Sequence, residues 1–173
     1  MKSRRIVPTD VEHLLRPDEY IISTANTRGR ITSVNEVLVR CSGYSREELI
    51  NAQHNITRHP DVPRALIWLM WESLREGEDF YGYFKNLRKD GGFYWVFAHA
   101  RPEYDSEGNV CAYRSIRHAA RNSAVSTIVD LYQQMLAAQH AVSAKFAIPA
   151  GLAVLRRYLS ERGQSYEQFV ARI

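Results

Sequence analysis

The sequence predicts an α+β fold: a five-stranded antiparallel sheet with short helices over one face, followed by a C-terminal helical extension. Two β-favouring runs flank the turn residues NTRG, and three longer strand-like runs follow one another between residues 80 and 119. After residue 120 the apolar residues recur at spacings of three and four, which indicates helices. Helices packed over one face of a sheet leave room for a ligand cavity between the two layers.

Composition indicates an ordinary globular chain. Its 173 residues are 45% hydrophobic, which suits one domain and an accessory segment. The net charge is +4, but the basic residues are spread along the chain, so we expect no nucleic-acid partner. No apolar run approaches the roughly 20 residues of a membrane-spanning helix, and no secretory signal follows the basic start. We therefore expect a soluble, cytoplasmic protein.

The cysteines and the first 17 residues lead to two further predictions. Cys41 and Cys111 have no CxxC spacing, which favours two buried thiols over a metal or redox site. Thr9 and Glu12 have the spacing of a capping box, which predicts a cap helix within residues 1–17 that Pro17 ends. The main domain then covers residues 18–120 and the helical extension residues 121–173.

Short helices are predicted between the first two strands and the last three. Ser45 and Glu48 form a second capping-box pattern, after a short helical piece that Ser42–Gly43 ends. The stretch Asp61–Pro63 then begins a helix from Arg64 to Arg75, whose two tryptophans we assign to packing.

Three strand-like runs follow, joined by the hairpin-turn sequences KDGG and DSEGN. The middle run is apolar at both alternating sets of positions, which predicts an interior strand covered on both faces.

The extension reads as a long amphipathic helix from about Ser123, a break at Pro149–Gly151, and two shorter helices. These helices could pack back on the domain or pair with a second subunit.

The polar segment QHNITRHPDVP, directly before the aromatic helix, is the strongest candidate for a binding site. Arg58 offers five donors to a phosphate or carboxylate. Aromatic residues of the predicted sheet would stack on a planar ring, and Asn86 would bond to its polar edge. The aromatic residues are Phe80, Tyr94, Trp95 and Phe97.

Other interpretations of this segment stay open. Arg58 and Asp61 could pair at a helix start that Asp61 caps, with His59 merely packing. A metal site formed by His54, His59 and Asp61 is conceivable, but a cation beside Arg58 is electrostatically unfavourable. No motif of an activated serine or cysteine occurs, so we expect no enzyme.

Residues 18–118 resemble a PAS domain, most of all the flavin-binding PAS domain of bacterial aerotaxis receptors. The resemblance rests on three segments: ITSVNEVLVRCSGYSREELINAQHNITRHPDVP, MWESLREGEDFYGYFKNLRKDGGFYWVFAHARP and GNVCAYRSIR. The narrower motifs within them are HNITRHPDVP with the following MW, and KNLRKDGGFYWV.

This resemblance implies a PAS sensor domain over residues 18–120 that binds FAD noncovalently and undergoes reversible redox chemistry in response to oxygen or cellular redox state. Arg58, His59 and Asp61 match the positions required for FAD binding in that family. Four further residues match pocket or signalling positions: Asn35, Asn86, Tyr94 and Trp95. Phe80 stands where the family often has tryptophan.

The resemblance also implies a signalling output, and two alternative functions stay open. We expect a homodimer whose tail contacts a downstream signalling protein, with the signal passing through the sheet to the helix near Ser123. A haem-binding gas sensor with His54, His59 or His99 as axial ligand is one alternative, and a cofactor-free interaction module is another. Photoactive PAS domains use a cysteine in an Asn-Cys-Arg motif, but the matching HNITRHP has none, so we expect no light-driven adduct.

Overall fold

Five antiparallel strands form a single sheet in the computed structural model, which describes residues 6–173. The strands are β1 (Ile21–Asn26), β2 (Ile31–Val34), β3 (Phe80–Leu87), β4 (Phe93–Tyr104) and β5 (Val110–Ala119). Their order across the sheet is β2-β1-β5-β4-β3. The last strand of the chain is therefore central, and β3 forms one edge. The predicted five-stranded antiparallel sheet is confirmed.

The helices lie between the second and third strands and after the last. They are α1 (Glu36–Ser42), α2 (Arg46–Leu49), a 3₁₀ turn (His54–Thr57), α3 (Arg64–Arg75), α4 (Asn122–His140), α5 (Ala147–Ser160) and α6 (Tyr166–Arg172). The predicted capping box at Ser45 and Glu48 starts α2, and α3 has the predicted bounds.

The two faces of the sheet differ in burial. Along β4, Tyr94, Val96, Ala98 and Ala100 are buried, while the alternating residues from Phe93 to His99 are only partly buried. The buried set faces α3, and we call this the inner face. The other face, here the outer face, is incompletely covered. The strand is interior as predicted, but full cover is found on the inner face alone.

Residues 6–17 form no helix, so the prediction of an N-terminal cap helix is wrong for the described part of this segment; residues 1–5 lie outside the described residues. The chain instead runs extended along the β3–β4 hairpin. The amide of Thr9 donates to the Gly91 carbonyl at 2.8 Å, and that of His13 to the Phe93 carbonyl at 2.7 Å. The Thr9 amide, which a capping box would bond to the Glu12 side chain, is thus used by the hairpin instead.

The helical extension packs back on the sheet and on α3. The Tyr132 hydroxyl donates to the backbone carbonyl of Tyr83 at 2.5 Å, so α4 covers part of the β3 edge that would otherwise be unpaired. On α6, the Tyr166 ring stacks on Phe80 with 5.4 Å between centroids. Within residues 6–173, no helix is both long and apolar enough to cross a membrane.

The predicted break at Pro149–Gly151 is wrong, because both residues lie inside α5. Pro149 is its third residue, where the backbone amide has no partner within the helix, so proline is tolerated. Gly151 allows close packing on α3, since a Cβ there would lie 2.8 Å from that of Ala65. The chain reverses instead between α4 and α5.

The expectation of two buried thiols also fails. Cys111 is exposed near the start of β5, and Cys41 on α1 is partly buried. Burial raises the pKa of the Cys41 thiol.

Candidate functional site

A cavity lies between α3 and the inner face of the sheet, as the layer arrangement predicts. This inner cavity has a volume of about 80 Å³. It adjoins an outer cleft of about 330 Å³, which is within the range of about 300–1,000 Å³ typical of small-molecule pockets. Ala98 and Ala100 form a flat base, and Ile67, Met70 and Trp71 of α3 form the opposite wall.

Residues 54–62 form one border of the cavity, which we call the rim. Arg58 pairs with Asn86 through an isolated bridge at the β3 edge, and both side chains line the inner cavity. The guanidinium of Arg58 donates from Nη2 to the Val62 carbonyl at 3.0 Å. Burial, then the charge of Arg64, lower the pKa of Arg58. The rim thus holds one arginine in a fixed, partly buried position.

His59 and Asp61 are directed away from the cavity. The ring of His59 packs edge-on against Phe93 at 6.0 Å, and its Nδ1 accepts the amide proton of Asp61 at 3.1 Å. Asp61 in turn accepts from Lys85 Nζ at 2.7 Å. Burial, then Lys85, lower the pKa of His59, although Asp61 opposes them. The two residues hold the rim segment against β3.

The alternative ion pair between Arg58 and Asp61 is therefore not formed, since Lys85 is the partner of Asp61. Asp61 does not cap α3 either. The helix begins after Pro63 without a side-chain cap.

The sheet side of the cavity, which we call the floor, comprises the base residues Ala98 and Ala100 together with Ser23 and Arg117. A chain of polar side chains links this floor to His54 at the start of the rim. Arg117 on β5 donates from Nη2 to Ser23 Oγ at 2.6 Å, and Ser23 Oγ lies 3.1 Å from His54 Nε2. Arg117 is 3% exposed and Ser23 1%. Burial and the charge of Arg117 lower the pKa of His54 to about 3, so its ring is neutral at pH 7. We assign the Ser23 hydroxyl proton to His54 Nε2, because Arg117 can only donate.

Several buried polar atoms near the cavity lack a partner in the described structure. They include Asn86 Nδ2, the Tyr94 hydroxyl and Arg117 Nε. Asn86 and Tyr94 lie directly opposite each other in the β3–β4 ladder, and burial raises the pKa of Tyr94. Buried polar groups are nearly always hydrogen-bonded. Two free donors, on Asn86 and Arg117, therefore indicate a site for a ligand that carries acceptors.

The profile of the PAS fold family matches residues 31–117, which is half of the chain. The chain belongs to the PAS fold family. This match confirms the predicted PAS fold. In this PAS domain the free polar groups lie at the cavity between sheet and helices.

Relatives of this PAS domain are sensory and regulatory proteins. The aerotaxis receptor of Escherichia coli strain K12 is 39% identical over 121 residues, which are 70% of this chain and 24% of the receptor. The nitrogen fixation regulatory protein of Klebsiella pneumoniae is 28% identical over 96 residues, 56% of this chain and 19% of that protein. The chain therefore spans about a quarter or less of these relatives.

The fold is also shared with a solved light-oxygen-voltage domain. That structure, studied with a flavin analogue, superposes with a TM-score of 0.59 at 18% identity and covers 67% of this chain and 88% of its own. At this identity the likeness concerns the fold alone.

Besides His59 and Asp61, four residues predicted for the site do not line the PAS cavity. Tyr94 lies beside it on the inner face of β4. Asn35 caps α1, where its Oδ1 accepts from the amides of Leu38 and Ile22, each at 3.1 Å. Trp95 is on the outer face beside Tyr132 of α4. Phe80 is on the inner face, but its ring stacks on α6 and does not line the cavity.

Several lining residues were not singled out from the sequence as ligand contacts, and Trp71 and Arg117 are the two that matter most here. Trp71, assigned to packing, lines both cavity and cleft and contacts Tyr113 edge-on at 5.4 Å. Arg117 follows Tyr113 and Ser115 at alternate positions of β5. A charged residue in the buried set of an interior strand is a signal that the sequence did contain.

The three histidines considered as haem ligands lie in different surroundings, and of the three His54 alone lines the cavity. His54 lines the cavity with Nε2 directed at Ser23, whereas His59 packs on the other side of β3. His99 on the outer face bonds to Asp79 at 2.6 Å. Among residues 6–173, no three His, Cys, Asp or Glu side chains are grouped to hold a metal ion.

Proposed function

We propose that this PAS domain binds FAD noncovalently between α3 and the sheet and acts as a redox or oxygen sensor that signals through its helical tail. One observation carries the proposal: Asn86 and Arg117, which line a flat, largely apolar cavity that Arg58 borders, each have a buried donor without a partner. The kinship with an aerotaxis receptor supports the sensory role.

The residues present fit the two parts of FAD. Its tricyclic ring is planar with a polar edge of carbonyl and imide groups, which suits the apolar walls and the free amide of Asn86. Its diphosphate requires positive charge. Arg28 lines the outer cleft, and Arg58 lies where cleft and cavity meet. Guanidinium groups bind phosphate oxygens through paired hydrogen bonds.

The predicted site residues then divide into two roles. Arg58 and Asn86 contact FAD directly. His59 and Asp61 act as positioning residues, because they hold the rim against Lys85 and Phe93 and so fix where Arg58 lies. Tyr94 and Phe80 shape the inner face beside the cavity, while Asn35 and Trp95 act outside it, at the start of α1 and beside α4.

The output in this proposal passes from the rim to the tail. The Arg58 guanidinium bonds to the Val62 carbonyl, and three residues later the Ala65 amide donates to Gln139 of α4 at 3.1 Å. This link through α3 is more direct than the route through the sheet expected from the sequence. A coupling of about 1–3 kcal/mol between ligand state and tail docking would suffice for a switch.

The partners remain part of the proposal. The tail would contact a downstream signalling protein, in a homodimer of this chain. Cys41 and Cys111 are both free thiols, which fits the reducing cytoplasm as the location. We assign no catalytic activity; rapid NADH oxidation by the purified protein, with no reductase added, would contradict the sensor role.

The absorption spectrum of the purified protein tests the cofactor. We expect a yellow flavin spectrum and FAD in the acid extract. A sharp Soret band would instead identify haem, with His54 as ligand, and no absorbing cofactor, even after incubation with FAD, would favour an interaction module.

Arg58→Ala tests the rim. We expect FAD affinity to fall at least about tenfold, since a hydrogen bond to a charged group contributes about 1.5–3 kcal/mol. Arg156→Ala is the control, because Arg156 is exposed on α5 and lines neither the cavity nor the cleft, so FAD affinity should be unchanged. Equal FAD affinity in Arg58→Ala and wild type would overturn the assigned role of Arg58.

A further inference from the structure

Arg117 is a buried cation without a counter-ion. Its side chain lies on the inner face at 3% exposure, Nη2 bonds to the neutral Ser23 hydroxyl, and Nε has no partner. Among the described residues, no carboxylate lies within ion-pair distance of this guanidinium. Its other polar neighbour along the chain of bonds is His54, which is neutral at pH 7.

Such an arrangement is unfavourable unless a ligand supplies the missing partner. Removing an ion from water is costly even after the protein relaxes around it, and the burial lowers the pKa of Arg117. Ser23 offers only one acceptor in return. An anion in the cavity would restore both the missing charge and the missing hydrogen bond.

We propose that Arg117, oriented by Ser23, forms an anion-binding site on the floor of the cavity for a flat, singly charged group. The site is flat because Ala98 and Ala100 line the base beside it. It suits a single charge because Arg117 is the cation of the floor, whereas Lys85 is paired with Asp61 and Arg58 belongs to the rim. The other free donor, on Asn86, is neutral.

If the cavity holds FAD, this ligand is the reduced ring, so this part of the inference rests on the proposed function. Reduction of bound FAD takes two electrons from a low-potential reductant and one proton from solvent, and leaves the ring with one negative charge. The oxidised ring is neutral. Arg117 therefore binds the reduced form more tightly and raises the midpoint potential, which sets the reductant strength that the sensor reports.

The midpoint potential of the FAD-loaded protein, titrated with dithionite against a reference dye, is the first test. We expect Arg117→Met to weaken the preference for the reduced form about tenfold, which lowers the potential of a two-electron couple by about 30 mV. Arg117→Lys, which keeps the charge, should recover part of the shift. Arg114→Met is the matched control, because Arg114 lies on the same strand but pairs with Glu103, and should match wild type.

A second variant keeps Arg117 and therefore tests the anion site even if Arg117→Met does not fold. Ser23→Ala removes the bond that orients the guanidinium, so it should lower the potential in the same direction by a smaller amount. Bound FAD with the same potential in wild type, Ser23→Ala and Arg117→Met would overturn the anion site and leave the FAD proposal intact.

A second test applies if the purified protein binds no FAD. Nitrate is flat and singly charged, so exchange of sodium gluconate for sodium nitrate at constant ionic strength should raise the melting temperature of wild type and Arg114→Met. Arg117→Met should gain less than half of this increase. Equal gains in all three proteins would overturn the inference, whereas a gain that depends on Arg117 would support it although the FAD proposal had failed.

Discussion

The rim and the floor of the cavity each contribute an arginine, and the two are held in opposite ways. Arg58 on the rim is partly exposed and bonds to a backbone carbonyl of its own segment. Arg117 on the floor is buried, bonds to a serine from another strand and retains an unpartnered Nε. The rim arginine therefore has a partner without a ligand, whereas the Nε of the floor arginine does not.

This difference assigns separate tasks to the two sides. Unpartnered buried groups are costly, so in the proposed function the floor gains most from a ligand and would set which ligand state is preferred. The rim is joined through α3 to Gln139 of the tail, so it is placed to transmit that state. Three changes test this division.

Filling the floor should have the largest effect. Ala98 is 4% exposed on the base of the cavity, and Ala98→Leu would place an isobutyl group where the ring is proposed to bind. We expect FAD affinity to fall at least about a hundredfold, or about 2.8 kcal/mol, in an equilibrium titration followed by flavin fluorescence. The fold should persist, because the added carbons enter an existing cavity and bury apolar surface.

Ala112→Leu is the control for that change. Ala112 is partly buried on β5 and alternates with the inner-face residue Tyr113, so a larger side chain there points to the outer face. Unchanged FAD affinity in Ala98→Leu would show that the ligand does not occupy the floor, and the comparison of rim and floor would lose its basis.

The next largest expected effect is the loss of folding stability at low pH that His54 causes. The pKa of His54 falls to about 3 in the folded protein, whereas an unfolded histidine titrates near 6.5. Below pH 6.5 the unfolded chain therefore binds a proton that the folded chain does not, and stability is lost as pH falls. One such group removes about 2 kcal/mol between pH 7 and pH 5.

Urea unfolding at these two pH values measures that loss. Because other groups also titrate, the informative quantity is the difference between variants. His54→Gln should lose about 2 kcal/mol less than wild type on acidification, while His140→Gln, at an exposed position on α4, should behave as wild type. Identical losses in His54→Gln and wild type would mean that the floor does not keep His54 neutral.

The sequence predicted helices and strands that follow from local residue patterns. It predicted less well the segments whose conformation depends on contacts with distant parts of the chain. The strands and the bounds of α3 follow from alternation, helical spacing and turn residues. The cap helix at Thr9 was wrong because the hairpin at Gly91 takes up the amides of that segment. The break at Pro149 was wrong because proline is acceptable in a first helical turn.

The same limit applies to the site. The motif pointed to the rim, and Arg58 and Asn86 do line the cavity. It could not show that His59 faces the other way, because that depends on the register of the rim against β3. The polar contact on the floor could not be predicted from the sequence, because Ser23 and Arg117 are 94 residues apart and meet only when β1 pairs with β5.

The link from rim to tail should give the smallest effect. Gln139 is 4% exposed, its Oε1 accepts from the Ala65 amide and its Nε2 has no partner. Gln139→Leu keeps the volume but leaves the amide unpaired, while it also removes the unpartnered Nε2. We therefore expect a loss of about 1 kcal/mol, the lower end of the cost of an unsatisfied buried group.

Hydrogen exchange measures this loss where it occurs. In Gln139→Leu, amides at the start of α3 and in α4 should exchange about fivefold faster if they open locally, whereas Gln133→Leu, at an exposed position on the same helix, should exchange as wild type. FAD affinity should not change, because Gln139 does not line the cavity. The decisive comparison is between oxidised and reduced protein: wild type should show a change in tail exchange that Gln139→Leu lacks. An equal response in both would mean that the tail reads the cavity by another path, through the sheet, and that the rim has no special part in output.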